Sequence, residues 1–341
     1  MSELKTVFVT GASGYIAKHI VLQLLESGYA VKGSVRSDAK ADEVRAAVAA
    51  HISDPAEMER LDLVNLNLLA DDGWAEALKG ADVLFHTASP FPLERPKDED
   101  DLIRPAVDGT LRALNAAKGA GIHRVVLTSS SVAIMGAQLD GRDRFNEDDW
   151  SDIERPESHA YEKSKVLAEQ AAWDFVKDHP DMQLTTINPV FVLGPGLDVN
   201  FGSSLSVIQR LVRAKDPAMP RLSFPIVDVR DIAKMHIAAM EKPQSVGRRF
   251  IGASETLWFT EIAQTLKERL PSKKIVTRQA PDFLIKIMAL FDKTLRGIVP
   301  DLGREMKVDN KAAREVLGID FIPARQAVGD SGAFLVENGY D

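Results

Sequence analysis

The sequence predicts an α/β fold, in which a doubly wound parallel sheet is followed by a smaller C-terminal lobe. Apolar strand patterns alternate five times with helical patterns between Val7 and Thr128, which is typical of a parallel sheet. The first strand runs into a glycine turn that opens a helix. The length of 341 residues allows one large domain and a smaller one.

The first strand, turn and helix lie at the N-terminal end. Residues 7–9 form a β-branched and aromatic strand, and Gly11 allows a tight turn that a Cβ would forbid. Gly14 leaves space beside the backbone, and an apolar stripe predicts a helix from Ile16 that ends at Gly28. Because a helix N-terminus attracts phosphate, the spacing Gly-x-x-Gly-x-x-Ala predicts dinucleotide binding. A purely structural turn is the alternative.

The next segments continue this alternation, each bounded by turn residues or by a change of period. The acidic stretch at 96–101 is expected to be a solvated loop. We expect strands at 30–35, 61–66, 82–87 and 124–128, helices at 38–50, 74–78, about 102–118 and from Tyr161 onward, and a loop at 51–59.

Composition and charge argue against several classes of function. The net charge of −8 disfavours nucleic acid as a main partner, since phosphate backbones require a basic surface. The lack of cysteine excludes disulfides and thiolate chemistry, and the seven histidines show no metal-ligand spacing. No apolar run approaches the roughly 20 residues of a membrane span, and the first strand begins too early for a signal peptide. We therefore expect a cytoplasmic protein without metal, nucleic acid or membrane partners.

The end of the second strand is where a dinucleotide-binding sheet contacts the adenosine ribose. Arg36 stands there, with Lys40 shortly after it. An arginine suits a 2′-phosphate through its fork geometry and permanent charge, so this position favours NADP over NAD. A solvated loop arginine is the alternative. After the fourth strand, the small residues Thr87-Ala88-Ser89 leave space for a cofactor to pass over the sheet edge.

Two later segments carry candidate chemistry. Thr128-Ser129-Ser130-Ser131 ends the fifth strand, and Tyr161 stands four residues before Lys165 on a predicted amphipathic helix, so the two share one helical face. An ammonium about 4–5 Å away would lower the tyrosine pKa from about 10 toward neutrality. A nearby serine hydroxyl would polarise a carbonyl oxygen. The alternative to a catalytic site is that the Tyr-x-x-x-Lys spacing occurs by chance and that the serines are simply small residues at a strand end.

Together these motifs resemble those of the extended short-chain dehydrogenases/reductases. The resemblance lies in Thr10-Gly11-x-x-Gly14-x-x-Ala17, Thr128-Ser129-Ser130, Tyr161-x-x-x-Lys165 and Asn188-Pro189-Val190. Within that family, residues 31–36, His86-Thr87-Ala88-Ser89-Pro90 and 164–173 resemble the branch of dihydroflavonol reductases, cinnamoyl-CoA reductases and NADPH-dependent aldehyde reductases. The resemblance spans residues 5–250 and fades beyond them.

The resemblance implies a Rossmann-type domain, NADP(H) as cofactor and hydride transfer to a small or aromatic aldehyde or ketone. Tyr161 would donate the proton, and Lys165 would tune its pKa and bind the ribose. Ser130 would orient the carbonyl group, with Ser131 as the alternative, and Asn67 stands where the family often has aspartate. The implied cofactor-binding residues are Gly11, Ser13, Gly14, Tyr15, Ile16, Arg36, Lys40, Asn67, Leu68, Thr87, Ala88, Ser89, Thr128, Tyr161, Lys165, Pro189 and Val192.

The resemblance also implies two domains. In the smaller one, Phe201 and Phe224 are candidate walls of a substrate pocket, with plain core residues as the alternative. Residues 283–295 are predicted to form one amphipathic helix that covers the cleft or contacts a partner subunit. The expected NADP-binding domain comprises residues 1–193 and 226–251, and the expected substrate lobe comprises residues 194–225 and 252–341.

The sequence names no substrate and leaves the oligomeric state open between a monomer and a homodimer. Two other functions remain as alternatives. A nucleotide-sugar epimerase or dehydratase of the same superfamily would retain NAD, with an acidic residue where Arg36 stands. A redox sensor that binds NADP without turnover would usually lack the Tyr161 and Lys165 pair.

Overall fold

The computed structural model describes residues 5–89 and 98–341. Pro90, the last residue of one family-like segment, and residues 96 and 97 of the expected acidic loop lie outside these ranges. Within them, no helix combines the length and the apolar character that crossing a membrane requires.

The described residues form ten strands. These are β1 Thr6–Thr10, β2 Ala30–Val35, β3 Leu61–Asn65, β4 Val83–His86, β5 Arg124–Thr128, β6 Gln183–Pro189, β7 Phe191–Leu193, β8 Ser223–Asp228, β9 Arg248–Gly252 and β10 Glu255–Trp258. Seven of them pair in the order β3-β2-β1-β4-β5-β6-β9, and every pairing in this large sheet is parallel. The predicted doubly wound parallel sheet is therefore confirmed. Its order reverses between β1 and β4, where the carboxyl ends border a crevice.

Twelve α-helices surround and extend the sheets in the same described ranges. They are α1 Tyr15–Glu26, α2 Asp38–Ala49, α3 Trp74–Leu78, α4 Asp100–Gly119, α5 Ala160–Asp178, α6 Gly202–Val212, α7 Val229–Glu241, α8 Phe259–Arg269, α9 Asp282–Met288, α10 Lys293–Ile298, α11 Lys311–Glu315 and α12 Ala324–Glu337. The helices expected at 38–50, 74–78 and 102–118 are confirmed as α2, α3 and α4. The expected loop at 51–59 contains a 3-10 turn, Pro55–Arg60.

Side chains of the large sheet alternate between two apolar cores. Val7 and Val9 pack with α1, α2 and α7 on one face, whereas Phe8 packs with α3, α4 and α5 on the other. All three side chains are fully buried. Because a parallel strand is covered on both faces, the three central residues of β1 are all apolar rather than alternating with polar residues.

The smaller sheet has the order β10-β8-β7 and a core of its own. Helices α6, α8 and α12 cover this core, and Phe201 lies within it, against Phe334 and Tyr340. Of the two interpretations of Phe201, the structure therefore supports the core residue and not the wall of a pocket. Residues 313–321 belong to the substrate lobe in the sequence-based division. Their apolar side chains nevertheless pack in a core of the large sheet. The two-domain division stays a prediction.

The single helix predicted at 283–295 is wrong, because the structure divides it into α9 and α10. The side chain of Asp292 accepts the backbone N–H of Leu295 (3.3 Å) and caps the second helix. Arg296 donates to the carbonyl oxygens of Ala289 and Leu290, which lie in the turn between α9 and α10. Helical periodicity alone does not reveal this local competition for the backbone.

Candidate active site

The glycine turn forms a cradle between β1 and α1. Gly11 has φ +65°, and its N–H donates to Ser34 Oγ (3.0 Å). Gly14 precedes α1 and donates to the carbonyl oxygen of Gly11 (2.9 Å). No side chain caps α1, and its first turn holds no acidic residue. The helix N-terminus therefore offers backbone N–H groups and a positive dipole end to an anion, as a pyrophosphate group requires.

The loop after β4 is tied directly to this cradle. Thr10 Oγ1 accepts the backbone N–H groups of Thr87 and Ala88, both at 3.0 Å. A Cβ on Gly11 would lie only 3.0 Å from the Cβ of Ala88, so the two loops approach as closely as glycine permits. Ser89, the next residue, is half-buried. Ser13 in the glycine turn and Ile16 in the first turn of α1 are half-buried as well.

The same threonine fixes the tautomer of a buried histidine. Because Thr10 Oγ1 already accepts two N–H groups, its hydroxyl proton is directed to His86 Nδ1 (2.9 Å). The imidazole proton then lies on Nε2, which has no partner among the described residues. Burial lowers the pKa of His86 to about 3, with the charge of Lys165 acting in the same direction. His86 is thus neutral.

The candidate 2′-phosphate residues lie where β2 ends. Arg36 is exposed, whereas Lys40 is half-buried and its ammonium donates to Glu43 (2.6 Å). Ser37 caps α2 by accepting the backbone N–H of Lys40 (3.4 Å). Arg36 therefore exposes its charge to solvent, while the charge of Lys40 is shared with a carboxylate.

The loop after β3 contains the expected adenine contacts. Asn67 is exposed, and its side chain accepts the backbone N–H of Leu69 (3.0 Å) in a local turn. The side chain of Leu68 packs against Gly109 of α4, where a Cβ would lie 2.9 Å from it. Leu68 thus supports this loop from beneath, and Asn67 occupies its outer surface.

Ser130 and Tyr161 come together from different elements. Ser130 follows β5 and caps a 3-10 turn, Ser131–Ala133, while Tyr161 lies in the first turn of α5. The side chains of Ser130 and Tyr161 are hydrogen-bonded. Lys165 Nζ lies 5.8 Å from the centroid of the Tyr161 ring. Ser131 is buried in the turn. We call Ser130, Tyr161 and Lys165 the candidate catalytic group.

The ionisation of this group differs in part from expectation. Burial raises the pKa of Tyr161, and the hydrogen bond from Ser130 lowers it by less. The pKa of Tyr161 is therefore raised in this structure and not lowered toward neutrality as expected, although Lys165 Nζ lies over the ring. Burial also lowers the pKa of Lys165 to about 8, although the charge of Glu169 opposes this shift.

Three further predicted cofactor residues lie in β5, β6 and β7. Thr128 Oγ1 donates to His236 Nε2 (2.7 Å), because His236 Nδ1 donates to the carbonyl oxygen of Ile232 (2.8 Å). Pro189 is the buried last residue of β6, and Val192 is buried in the core beside the large sheet. The hydroxyl of Tyr15 donates to the carbonyl oxygen of Gly194 (2.8 Å) and links α1 to the segment after β7.

Two polar features of the site were not predicted. Lys18 is buried in α1, and its ammonium contacts the carboxylate of Asp198. Glu169 is buried in α5, where it pairs with Arg249 (2.7 Å). Both ion pairs join residues at least 80 positions apart, so no local pattern indicates them. The described ranges contain no group of three or more acidic or histidine side chains arranged to hold a metal ion.

Comparisons with known proteins identify relatives over almost the whole chain. The model of the NAD dependent epimerase/dehydratase family matches residues 7–251. NADPH-dependent methylglyoxal reductase GRE2 of Saccharomyces cerevisiae is 31% identical, over 97% of this chain and 98% of that protein. Cinnamoyl-CoA reductase 1 of Arabidopsis thaliana is 32% identical, over 98% and 90% respectively. The structure of yeast methylglyoxal/isovaleraldehyde reductase Gre2 complexed with NADPH matches with a TM-score of 0.81 at 29% identity, over 98% of this chain and all of that one.

Proposed function

The chain belongs to the NAD-dependent epimerase/dehydratase family, and from this premise we propose that it is an NADPH-dependent reductase of aldehydes and ketones. The family resemblance deduced from the motifs is confirmed, and so is its reductase branch, since the relatives are named as methylglyoxal and cinnamoyl-CoA reductases. NADPH is the cofactor named for the yeast relative and present in its structure.

The observation that carries the proposal is the candidate catalytic group at the carboxyl edge of the sheet. Ser130 is hydrogen-bonded to Tyr161, and Lys165 lies one helical turn further along α5. A hydroxyl pair beside an ammonium is suited to protonating an oxygen that gains negative charge. A segment that served only packing would not require a hydrogen-bonded pair of hydroxyls with an ammonium over the tyrosine ring.

The residues present fit a dinucleotide laid along this edge. The cradle of Gly11 and Gly14 would hold the pyrophosphate, and Arg36 would bind the 2′-phosphate. Lys165 would bind the nicotinamide ribose, as the family resemblance implies. Because the strands are parallel, the loops that follow β1, β2, β3 and β4 all open toward the same edge, which is one continuous surface.

The bound cofactor supplies the hydride that reduces the carbonyl carbon. The carbonyl oxygen would accept hydrogen bonds from Ser130 and Tyr161, which orient the carbon and polarise the C=O bond. Tyr161 would then transfer its proton to that oxygen, which completes the alcohol. The charge of Lys165 would stabilise the tyrosinate until solvent restores the proton.

The organic part of the substrate is assigned to the side of the smaller sheet. Phe191 follows β6 closely and is half-buried, and its ring lies 5.3 Å from that of Phe224. The ring centroid of Phe259 lies 5.4 Å from that of Phe224, with the two ring planes nearly perpendicular. These partly exposed rings suit a small or aromatic carbonyl compound. A cytoplasmic location and a monomeric or homodimeric state stay predictions.

The test is a panel of carbonyl compounds, followed through the loss of NADPH absorbance. Methylglyoxal, branched and aromatic aldehydes, simple ketones and an aromatic acyl-CoA thioester cover the proposed class. We expect turnover with at least one aldehyde and much weaker turnover with NADH. Turnover of nucleotide sugars without net NADPH consumption would instead support the epimerase or dehydratase alternative.

A further inference from the structure

A buried polar cluster lies behind the candidate catalytic group and takes no part in the reaction as proposed. Its centre is Glu169, which is 1% exposed and lies one helical turn after Lys165 on α5. We call this carboxylate with its hydrogen-bond donors the Glu169 cluster. The donors are Ser129 Oγ (2.5 Å), Asn188 Nδ2 (2.7 Å), Arg249 Nε (2.7 Å), Thr186 Oγ1 (3.1 Å) and Trp173 Nε1 (3.3 Å).

The cluster supports the backbone before and after the Ser130 Cα, at Ser129 and at the carbonyl oxygen of Ser130. Ser129, the preceding residue, is tied to Glu169 through its hydroxyl and to β6 through its N–H, which donates to Ile187 O (2.8 Å). Asn188 donates to Glu169 and also to the carbonyl oxygen of Ser130 (3.2 Å). The position of Ser130 against Tyr161 therefore depends on contacts that converge on one carboxylate.

The cluster also contains a buried ion pair. Arg249 is the positive partner of Glu169, its guanidinium stacks 3.8 Å from the ring centroid of Trp150, and it donates to two backbone carbonyl oxygens. A buried carboxylate without a cationic partner would be strongly disfavoured, so Arg249 offsets the cost of burying Glu169. The negative charge of Glu169 raises the pKa of Lys165 against the larger effect of burial.

We propose that Glu169 is a positioning residue for the candidate reaction: it holds the Ser130 segment against Tyr161 and places a fixed negative charge one helical turn from Lys165. This inference rests on the proposed function. Among described residues, the ionisable groups that face Lys165 are Tyr161 and Glu169 on its own helix and His86 on β4. Since His86 is neutral, Glu169 is the anion that offsets the burial of the ammonium.

The test replaces Glu169→Gln, which keeps the shape and removes the charge. The pKa of Lys165 is about 8 in the unmodified protein, and the charge of Glu169 raises it, so we expect the alkaline limb of kcat against pH to move to lower pH in the variant. We expect the plateau of kcat to fall on the order of 10- to 100-fold as Ser130 loses support, with a smaller change in KM. The matched control is Glu162→Gln, which removes a second buried carboxylate of α5 that pairs with Arg155.

A second readout does not depend on turnover. Reductive methylation with carbon-13 and NMR titration give the pKa of Lys165 directly, with the resonance assigned by its loss in Lys165→Arg. This pKa should fall in Glu169→Gln and remain unchanged in Glu162→Gln. If the unmodified protein reduces no carbonyl compound, the proposed function fails, while the titration still tests the charge of Glu169.

Two outcomes would overturn the inference. One is a Glu169→Gln protein whose Lys165 titrates as in the unmodified protein. The other is an equal shift in Glu162→Gln, which would mean that any lost ion pair of α5 has this effect. If Glu169→Gln does not fold, the double variant with Arg249→Gln removes both buried charges together, and the same downward shift of Lys165 is expected.

Discussion

Single residues decide which hydroxyl group reaches the substrate. Side chains alternate along a strand, so neighbouring serines at a strand end face different surroundings. Here Ser130 meets Tyr161, and Ser131 is buried in the 3-10 turn that follows.

Ser130→Ala should lower turnover by on the order of 10²–10³, the usual loss of one oxyanion donor. Ser131→Ala removes a buried hydroxyl, so its effect should be small and confined to packing. Steady-state kinetics of both variants, with NADPH binding as the folding control, measure the difference. The reverse ranking would assign the carbonyl contact to Ser131.

Arg36 determines the cofactor preference in this account, because its exposed guanidinium has no carboxylate partner among the described residues. NADPH should bind about 10- to 100-fold more tightly than NADH, the worth of one charge-assisted hydrogen bond. Arg36→Asp should remove or invert this preference, measured by fluorescence titration with both cofactors. Lys40→Ala should change it less, because Glu43 already shares that charge. Equal affinities in the unmodified protein would contradict the assignment.

The residue scale also shows where sequence reasoning stops. Tyr161, Lys165 and Ser130 were found from spacing and family motifs, since all three lie in short, recognisable segments. The direction of the pKa shift of Tyr161 was not found, because it depends on burial that only the folded chain creates. Glu169 lies in the family-like segment 164–173, but no local pattern indicates its ion pair, since its partner Arg249 comes from another element.

Individual elements show why the glycine turn is strict. Gly11 has φ +65°, and a Cβ there would also lie 3.0 Å from Ala88 Cβ and 3.1 Å from its Cα. Gly28, after α1, has φ +87° but open space around it. At Gly28 an alanine would meet only the strain of the left-handed backbone. At Gly11 it would meet that strain and the close approach of Ala88.

Gly11→Ala and Gly28→Ala should each destabilise the protein by about 1–2 kcal/mol through the left-handed conformation. Only Gly11→Ala should also weaken NADPH binding, because it displaces the loop of Ala88 from the cradle. Chemical denaturation and NADPH titration measure the two effects separately. Unchanged NADPH affinity in a folded Gly11→Ala protein would contradict the placement of the cofactor against this turn.

The spacing of apolar residues predicts the bounds of a helix or strand well where that element is packed in a core, and poorly where it is exposed. The strand at 124–128 and the helix at 74–78 have the predicted bounds, since the strand lies within the large sheet and the helix packs against it. The segment 283–295 carries the same apolar stripe but leaves Phe283 and Phe291 exposed, 66% and 87% respectively. With little packing to hold one continuous helix, the Asp292 cap decides the local structure.

At the scale of the whole molecule, the parallel sheet followed from the order of strands and helices, because right-handed crossovers leave few other arrangements. The contacts that join the large sheet to the rest did not follow from it. Lys18 binds Asp198, and Tyr15 binds Gly194, across about 180 positions of sequence. These contacts join α1, whose N-terminus forms the candidate cofactor cradle, to the segment that follows β7. The candidate cofactor site is therefore directly connected to the smaller sheet.

The most direct test of the account compares carbonyl-dependent NADPH consumption by the unmodified protein and by Tyr161→Phe. This change keeps the ring and removes the transferable proton, so turnover should fall by about 10²–10⁴ while NADPH still binds. Tyr29→Phe is the matched control, since it removes a hydroxyl that donates to Glu241 (2.6 Å) beside the amino end of β2. Consumption of NADPH that requires a carbonyl compound, and is lost in Tyr161→Phe alone, is the predicted result. No such consumption, or a Tyr161→Phe protein that retains most of it, would contradict the central claim.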